Sequence, residues 1–313
     1  MLYLEELLDA IIAEEGQTLM GLDFLIETLN LPMQKIDTLF KKALSEYSER
    51  RPLKKTTVFN NFDYIDSANG EAGYIKMPEG TTSCRIARYG VLPNQMPRFY
   101  MPKFGEQAVE FDLVTRTCKV WPPVTPIRLT YTQRYVATTN VLIERVLEFP
   151  YETDECEFTL PTYYAGKTLN ISKSIGDKLF SMTPTGYINE VKHEDGIVEE
   201  AILKGNLGRG TVNLKTREVK LELQEDTIAP IVINYYPKYS VVKELDIGNY
   251  LFTRIFACKI LQALASMRAQ ATQEKLHNIS LDTDDLLSRV AELKKEIRDL
   301  NRSAISFSGM APV

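Results

Sequence analysis

Apolar residues recur at three- and four-residue intervals near both ends of the chain and at two-residue intervals between them. That change of period sets the predicted architecture. Leu4, Leu7, Leu8, Ile11 and Ile12 share one face of a first helix. Gly16 and Gly21 punctuate the next stretch, and a second helix covers residues 22–29 before Pro32. Ile36, Leu39, Phe40, Ala43, Leu44 and Tyr47 line a third, with Lys41, Lys42, Glu46 and Glu49 between them. Pro52 cannot continue that helix and biases Arg51 toward extended backbone, so it should stop near Arg50.

From about residue 55 to 239 Val, Ile, Thr, Tyr and Phe dominate short runs separated by Gly, Pro and Asn. Runs at 56–59, 109–113, 127–131, 156–160, 168–171, 219–223 and 231–235 read as strands. Several alternate polar with apolar residues, as strands with one buried and one wet face do. Many short strands without intervening helices predict sandwich- or barrel-like β material. Helical period returns at Leu251, Ile255, Cys258, Leu261, Leu264 and Ala265, and Asp282 or Asp284 is placed to cap a last helix. Leu286, Val290, Leu293, Ile297 and Leu300 repeat there in a 4-3-4-3 spacing. This seam is about two heptads long, too short for an autonomous coiled coil, so it should pack on a helix of its own chain or of a neighbour.

The predicted class is therefore α+β: a mainly antiparallel β core flanked by N-terminal and C-terminal helices. Residues 1–54 form a helical bundle, 55–240 the β core, and 241–313 helices and an extended tail. An internal repeat is visible in the core. Residues 115–121 resemble 216–222 at an offset of 101, while 126–131 resemble 230–235 and Arg134-Tyr135 resembles Lys238-Tyr239 at an offset of 104. These define two candidate units near 108–136 and 211–239, each a hairpin followed by a strand led by Pro.

Composition narrows the function more by exclusion than by selection. The 313 residues are 44% hydrophobic and 25% charged, enough to bury a core and incompatible with disorder. A net charge of −5 lacks the basic footprint of a bulk nucleic-acid binder. Residues 1–16 hold five acids and no Lys or Arg, unlike a secretory signal, and no run approaches a membrane span. The expectation is a soluble chain made in a cytoplasm. Four cysteines without a CxxC pair predict free thiols in a reducing compartment, and two separated histidines give no zinc pattern.

Local motifs add no chemistry. Gly205, Gly208 and Gly210 stand in the order GxxGxG, which fits neither a phosphate loop nor a dinucleotide fingerprint and reads as a hairpin turn. The acids at 282–285 lack the later ligands of a calcium loop and read as a helix cap. Arg50, Arg51, Lys54 and Lys55 form a basic cluster at a helix end, which suits the helix dipole. Sixteen tyrosines suit protein interfaces as well as a β core. No pattern selects a catalytic residue, a metal or a cofactor.

Two blocks carry a family resemblance. One is Ala43-Leu-Ser-Glu-Tyr-Ser48, followed by Arg51-Pro-Leu53 and by Tyr74-Ile-Lys-Met-Pro78 with Gly80. The other is the Ala-rich helix over 251–271 with Arg268, an acidic link, and Asp285-Leu-Leu287 opening a charged terminal helix. Together they resemble structural proteins of tailed-bacteriophage virions, in the head-to-tail connector or neck class. The resemblance implies a homo-oligomeric ring without an active site, assembled in the host cytoplasm. Its partners would be portal and tail-terminator or other tail proteins, with DNA as passing cargo and no membrane. The negative charge would suit a lumen through which DNA slides. On that reading Leu286, Val290, Leu293, Ile297, Leu300, Phe307 and Met310 are the candidate interface. The alternatives are a baseplate or tail component, a β-sandwich module binding carbohydrate or a receptor, and a glycosidase or peptidoglycan hydrolase with two acids brought together in space.

Overall fold

A computed structural model describes residues 1–66, 72–89, 109–121, 123, 125–148, 153–165, 168–175, 177–193, 196–214, 216–227, 230–271 and 281–308. In chain order the elements are β1 (Leu2–Tyr3), α1 (Leu4–Thr18), α2 (Leu22–Leu29), α3 (Met33–Arg50), β2 (Leu53–Phe59), β3 (Tyr64–Asp66), β4 (Ala72–Lys76) and β5 (Thr81–Tyr89). Then come β6 (Val109–Asp112), β7 (Thr117–Val120), β8 (Ile127–Gln133), β9 (Ile143–Leu147), β10 (Thr153–Thr159), β11 (Asn170–Ile175) and β12 (Lys178–His193). The chain closes with β13 (Gly196–Gly205), β14 (Gly208–Asn213), β15 (Glu218–Thr227), β16 (Ile231–Tyr235), β17 (Val241–Val242), α4 (Tyr250–Gln270) and α5 (Thr283–Ser308). The class is α+β, antiparallel in its sheets, with helices at both ends. Leu2–Tyr3 pairs with Val241–Val242 ahead of the first helix, a strand too short to leave any period in the sequence.

Contacts divide the chain into two compact units, neither continuous in sequence. One holds Met1–Phe40, Ala137–Thr253 and Ile260–Val290, the other Lys41–Val136, Arg254–Lys259 and Ala291–Val313. Helices α3, α4 and α5 each supply residues to both.

The first unit is built on a curled half-barrel of eight strands in the order β10-β15-β14-β13-β12-β11-β16-β9. Its core follows the two-residue period: Ile231, Ile233 and Tyr235 face inward on β16, as do Val219, Leu221 and Leu223 on β15. Burying each aliphatic chain contributes about 1.5–3 kcal/mol. Gly205 and Gly208 face one another across the two-residue loop joining β13 to β14. A Cβ on Gly205 would strike the Ser181 carbonyl, and one on Gly208 the Glu222 carbonyl. The glycines therefore serve close strand approach, as their β context required.

In the second unit a three-stranded sheet, β2-β8-β5, and a four-stranded sheet, β3-β4-β7-β6, share a core of Ile75, Met77, Cys118, Val120, Ile127, Leu129 and Tyr131. Strand β8 points Ile127, Leu129 and Tyr131 inward, while Thr130 and Thr132 bond across to Thr56 (3.1 Å) and Thr82 (2.8 Å).

The two repeated segments adopt the same local device in different sheets. Hairpins β6–β7 and β14–β15 both turn through an Arg in the left-handed region, Arg116 (φ 55°) and Arg217 (φ 66°). Asp112 accepts from the Val114 amide (2.8 Å) and the Thr115 hydroxyl (2.7 Å), and Asn213 accepts from the Thr216 amide (2.9 Å). These short polar side chains hold a turn because they mimic the backbone bond it needs. The Arg116 carbonyl then accepts the Met77 amide (2.8 Å), and the Arg217 carbonyl the Leu160 amide (3.0 Å). Both donors directly precede a proline, Pro78 and Pro161.

Candidate functional site

Helix α5 opens with a reciprocal cap in which the Asp285 amide donates to Asp282 (2.9 Å) and the Asp282 amide to Asp285 (3.2 Å). The Asp285 amide chiefly holds the Asp282 carboxyl below its ordinary range. Of the seam, Leu286, Val290, Leu293 and Ile297 are buried within the chain and Leu300 is half-buried. Phe307 belongs to the last turn of α5, with its side chain outside the described residues, and Met310 lies outside them altogether. The seam is thus occupied by the chain's own packing. Charged residues brace it on both sides. Arg289 clasps Glu15 through two bonds (2.7 and 3.2 Å), Arg254 meets Glu296 (3.1 Å), and Lys259 meets Glu46 (2.7 Å). Glu15 lies on the face that Leu4, Leu8 and Ile11 predict to be buried, so its need for a cation was readable from the helical period.

A surface of another kind is made by β12 and β13. Strand β11 pairs with β12 only as far as Met182, two residues before Pro184, which has no N–H to offer a neighbour. Strand β14 pairs with β13 only from Glu200 inward. Beyond those limits β12 and β13 continue together, from Ile188 opposite Glu200 to His193 opposite Gly196. This ribbon outruns both flanking strands, and its outer backbone edges have no strand partner among the described residues. Its sequence alternates weakly, which is why the hydrophobic pattern did not mark it; the signal was Pro184 inside an otherwise extended run.

On β10, β15, β14 and β13 an open groove of about 820 Å³ is lined by Glu155, Cys156, Glu157, Lys204, Arg209, Lys220 and Glu222, among others. Its charges answer one another across strands, Arg209 with Glu222 (2.5 Å) and Lys220 with Glu157 (3.0 Å). Such exposed pairs contribute little stability. Burial pushes the Cys156 thiol up to about 11, so it stays protonated and weakly nucleophilic at neutral pH.

A buried carboxylate connects α1 to the half-barrel. Glu5 is only 3% exposed, and one of its oxygens accepts the Thr162 hydroxyl (2.8 Å) and the Tyr163 amide (3.3 Å). Its other oxygen is buried without a hydrogen-bond partner among the described residues. Burial is the main influence raising its pKa above the ordinary value, opposed by the Thr162 bond and, more weakly, by Arg217. Arg217 in turn reaches Asp9 (3.6 Å) and the Pro161 carbonyl (3.3 Å) and lies over the Tyr163 ring (5.2 Å). Desolvation also raises the Tyr235 hydroxyl's pKa. In the sequence Glu5 is one of five N-terminal acids with nothing to set it apart. Only the tertiary fold brings Thr162, Arg217 and Tyr235 around it.

Among the described residues no group of three His, Cys, Asp or Glu side chains could hold a metal ion, and no helix is long and apolar enough to cross a membrane. No family model, curated protein or solved structure matches the chain.

Proposed function

We propose that this chain is a structural subunit that joins copies of itself into an oligomeric ring, the head-to-tail connector or neck of a tailed-bacteriophage virion. Portal and tail proteins are its neighbours and DNA its passing cargo. The observation that supports assembly is the β12–β13 ribbon. A two-stranded ribbon is at best marginally stable in water, and open strand edges recruit further strands. A ribbon that reaches past its own sheet is therefore suited to docking on an adjoining subunit by strand pairing. Between identical subunits such a contact is head-to-tail, and it gives a ring when its rotation closes. The assignment to a neck rests on the resemblance carried by residues 43–53, 74–80 and 251–287.

The test is to replace residues 189–199 with Asn-Gly, a two-residue turn suited to a hairpin. The shortened chain should keep its thermal midpoint and sediment as a monomer, while the full chain sediments as a multimer. An unshortened chain that stays monomeric and binds glycans would replace this reading with a β-sandwich binding module. A lower-order wedge would move it to the baseplate.

A further inference from the structure

We infer that Cys84 and Cys118 are a disulfide-forming pair, closed by exchange with a low-molecular-weight disulfide, that ties the two sheets of the second unit together. Their sulfurs lie 3.2 Å apart, with the Cys118 thiol donating to Cys84. Cys84 stands on β5 opposite Tyr131 of β8, and Cys118 on β7 opposite Ile75 of β4. The pair therefore bridges the three-stranded and four-stranded sheets across their shared core. A disulfide needs an S–S distance of about 2.05 Å, so closure asks for a movement of roughly 1 Å. Side-chain rotation supplies a movement of that size.

The two sulfurs differ in access. Cys118 is fully buried, and its bond to Cys84 together with burial pushes its pKa far upward. Cys84 is half-buried and meets the solvent. Cys84 is thus the sulfur that reaches the oxidant. Its thiolate attacks one sulfur of oxidised glutathione, forming a mixed disulfide and releasing one glutathione thiolate. Cys118 loses its proton to that leaving thiolate, attacks Sγ of Cys84 and expels the second glutathione. Two protein thiols and one glutathione disulfide become one protein disulfide and two glutathione thiols. The bond would close the chain between residues 84 and 118 into a covalent ring and limit the unfolded state. Cys156 and Cys258 remain thiols throughout.

The experiment exposes the full chain, unfolded only afterwards for alkylation, to reduced or oxidised glutathione, and reads intact mass and linked peptides. Oxidation should remove two hydrogens, leave two alkylatable cysteines and link residue 84 to residue 118. The thermal midpoint should rise by roughly 5–10 °C. Cys118→Ala should instead accumulate one glutathione on Cys84, and Cys84→Ala should gain neither adduct nor stability. A Cys156→Ser, Cys258→Ser chain should behave as the unaltered protein does. Four alkylatable thiols after oxidation, a lasting adduct on Cys84 in the unaltered chain, or linkage through Cys156 or Cys258 would overturn the inference. None of these readouts depends on whether the chain forms rings.

Discussion

The hairpins β6–β7 and β14–β15 share a turn but differ in what surrounds it. At the first, Leu113 and Val114 are exposed at the tip, and Arg116 makes a loose contact (3.7 Å) with a Glu79 that is 86% exposed. At the second, the Arg217 side chain is 21% exposed and sits among Asp9, Pro161, Tyr163 and the buried Glu5. Local sequence therefore sets the backbone of the turn, because Asp112 and Asn213 each supply the acceptor it requires. The energetic worth of the arginine is set by tertiary context. The same residue at equivalent points is a solvated surface charge in one unit and a packed, hydrogen-bonded side chain in the other.

The largest predicted difference lies in those side chains. Arg217→Ala should destabilise by about 1–2 kcal/mol at neutral pH, because it removes the bond to the Pro161 carbonyl, the contact with Asp9 and the stacking over Tyr163 from a half-buried site. Arg116→Ala should cost about 0.5 kcal/mol or less. Denaturant titration of the two variants makes the comparison, and equal losses would break it. Next, Asn213→Ala should cost about 1 kcal/mol by removing the acceptor for the Thr216 amide. Replacing the left-handed residue by glycine should then give opposite signs. Arg116→Gly should stabilise by about 0.5–1 kcal/mol by relieving the φ > 0 penalty, whereas at Arg217 the lost contacts should outweigh that relief.

The subtlest contrast is in pH. Because the fold raises the Glu5 pKa, the folded chain keeps a proton that the unfolded chain releases once pH passes the ordinary glutamate value. That group's contribution is greatest in acid and declines as pH rises toward the raised folded value. Asp112 behaves oppositely, since the Thr115 hydroxyl and the Val114 amide lower its pKa. Its contribution is present above the ordinary aspartate value and is lost as pH falls through the depressed one. Hydrogen exchange near Arg217 should therefore shift between mild acid and neutrality, whereas exchange near Arg116 should shift, in the opposite direction, only below the ordinary aspartate value. Glu5→Gln should abolish the first trend and Asp112→Asn the second.

Much of this fold was legible because its elements obey simple periods and stops. The 3–4 spacing located α1 and α3, Gly21 and Pro32 bounded α2, Pro52 ended α3 at Arg50, and alternation located β8, β15 and β16. The pairing of Arg116 with Arg217 also stood in the sequence as an offset of 101. Other features were hidden for physical reasons. Strand β1 is two residues long, the β12–β13 ribbon carries no clear alternation in its sequence, and the surroundings of Glu5 come from segments 157 and more residues away. The α5 seam was legible as an apolar row. Whether it would meet its own chain or another depended on packing that a single period does not encode.

Mass photometry of the intact chain across a dilution series tests the central claim of assembly most directly. A single closed multimer of fixed copy number, converted to monomer when residues 189–199 are replaced, is the predicted result. A monomer at every concentration, or a multimer indifferent to loss of the ribbon, would contradict it.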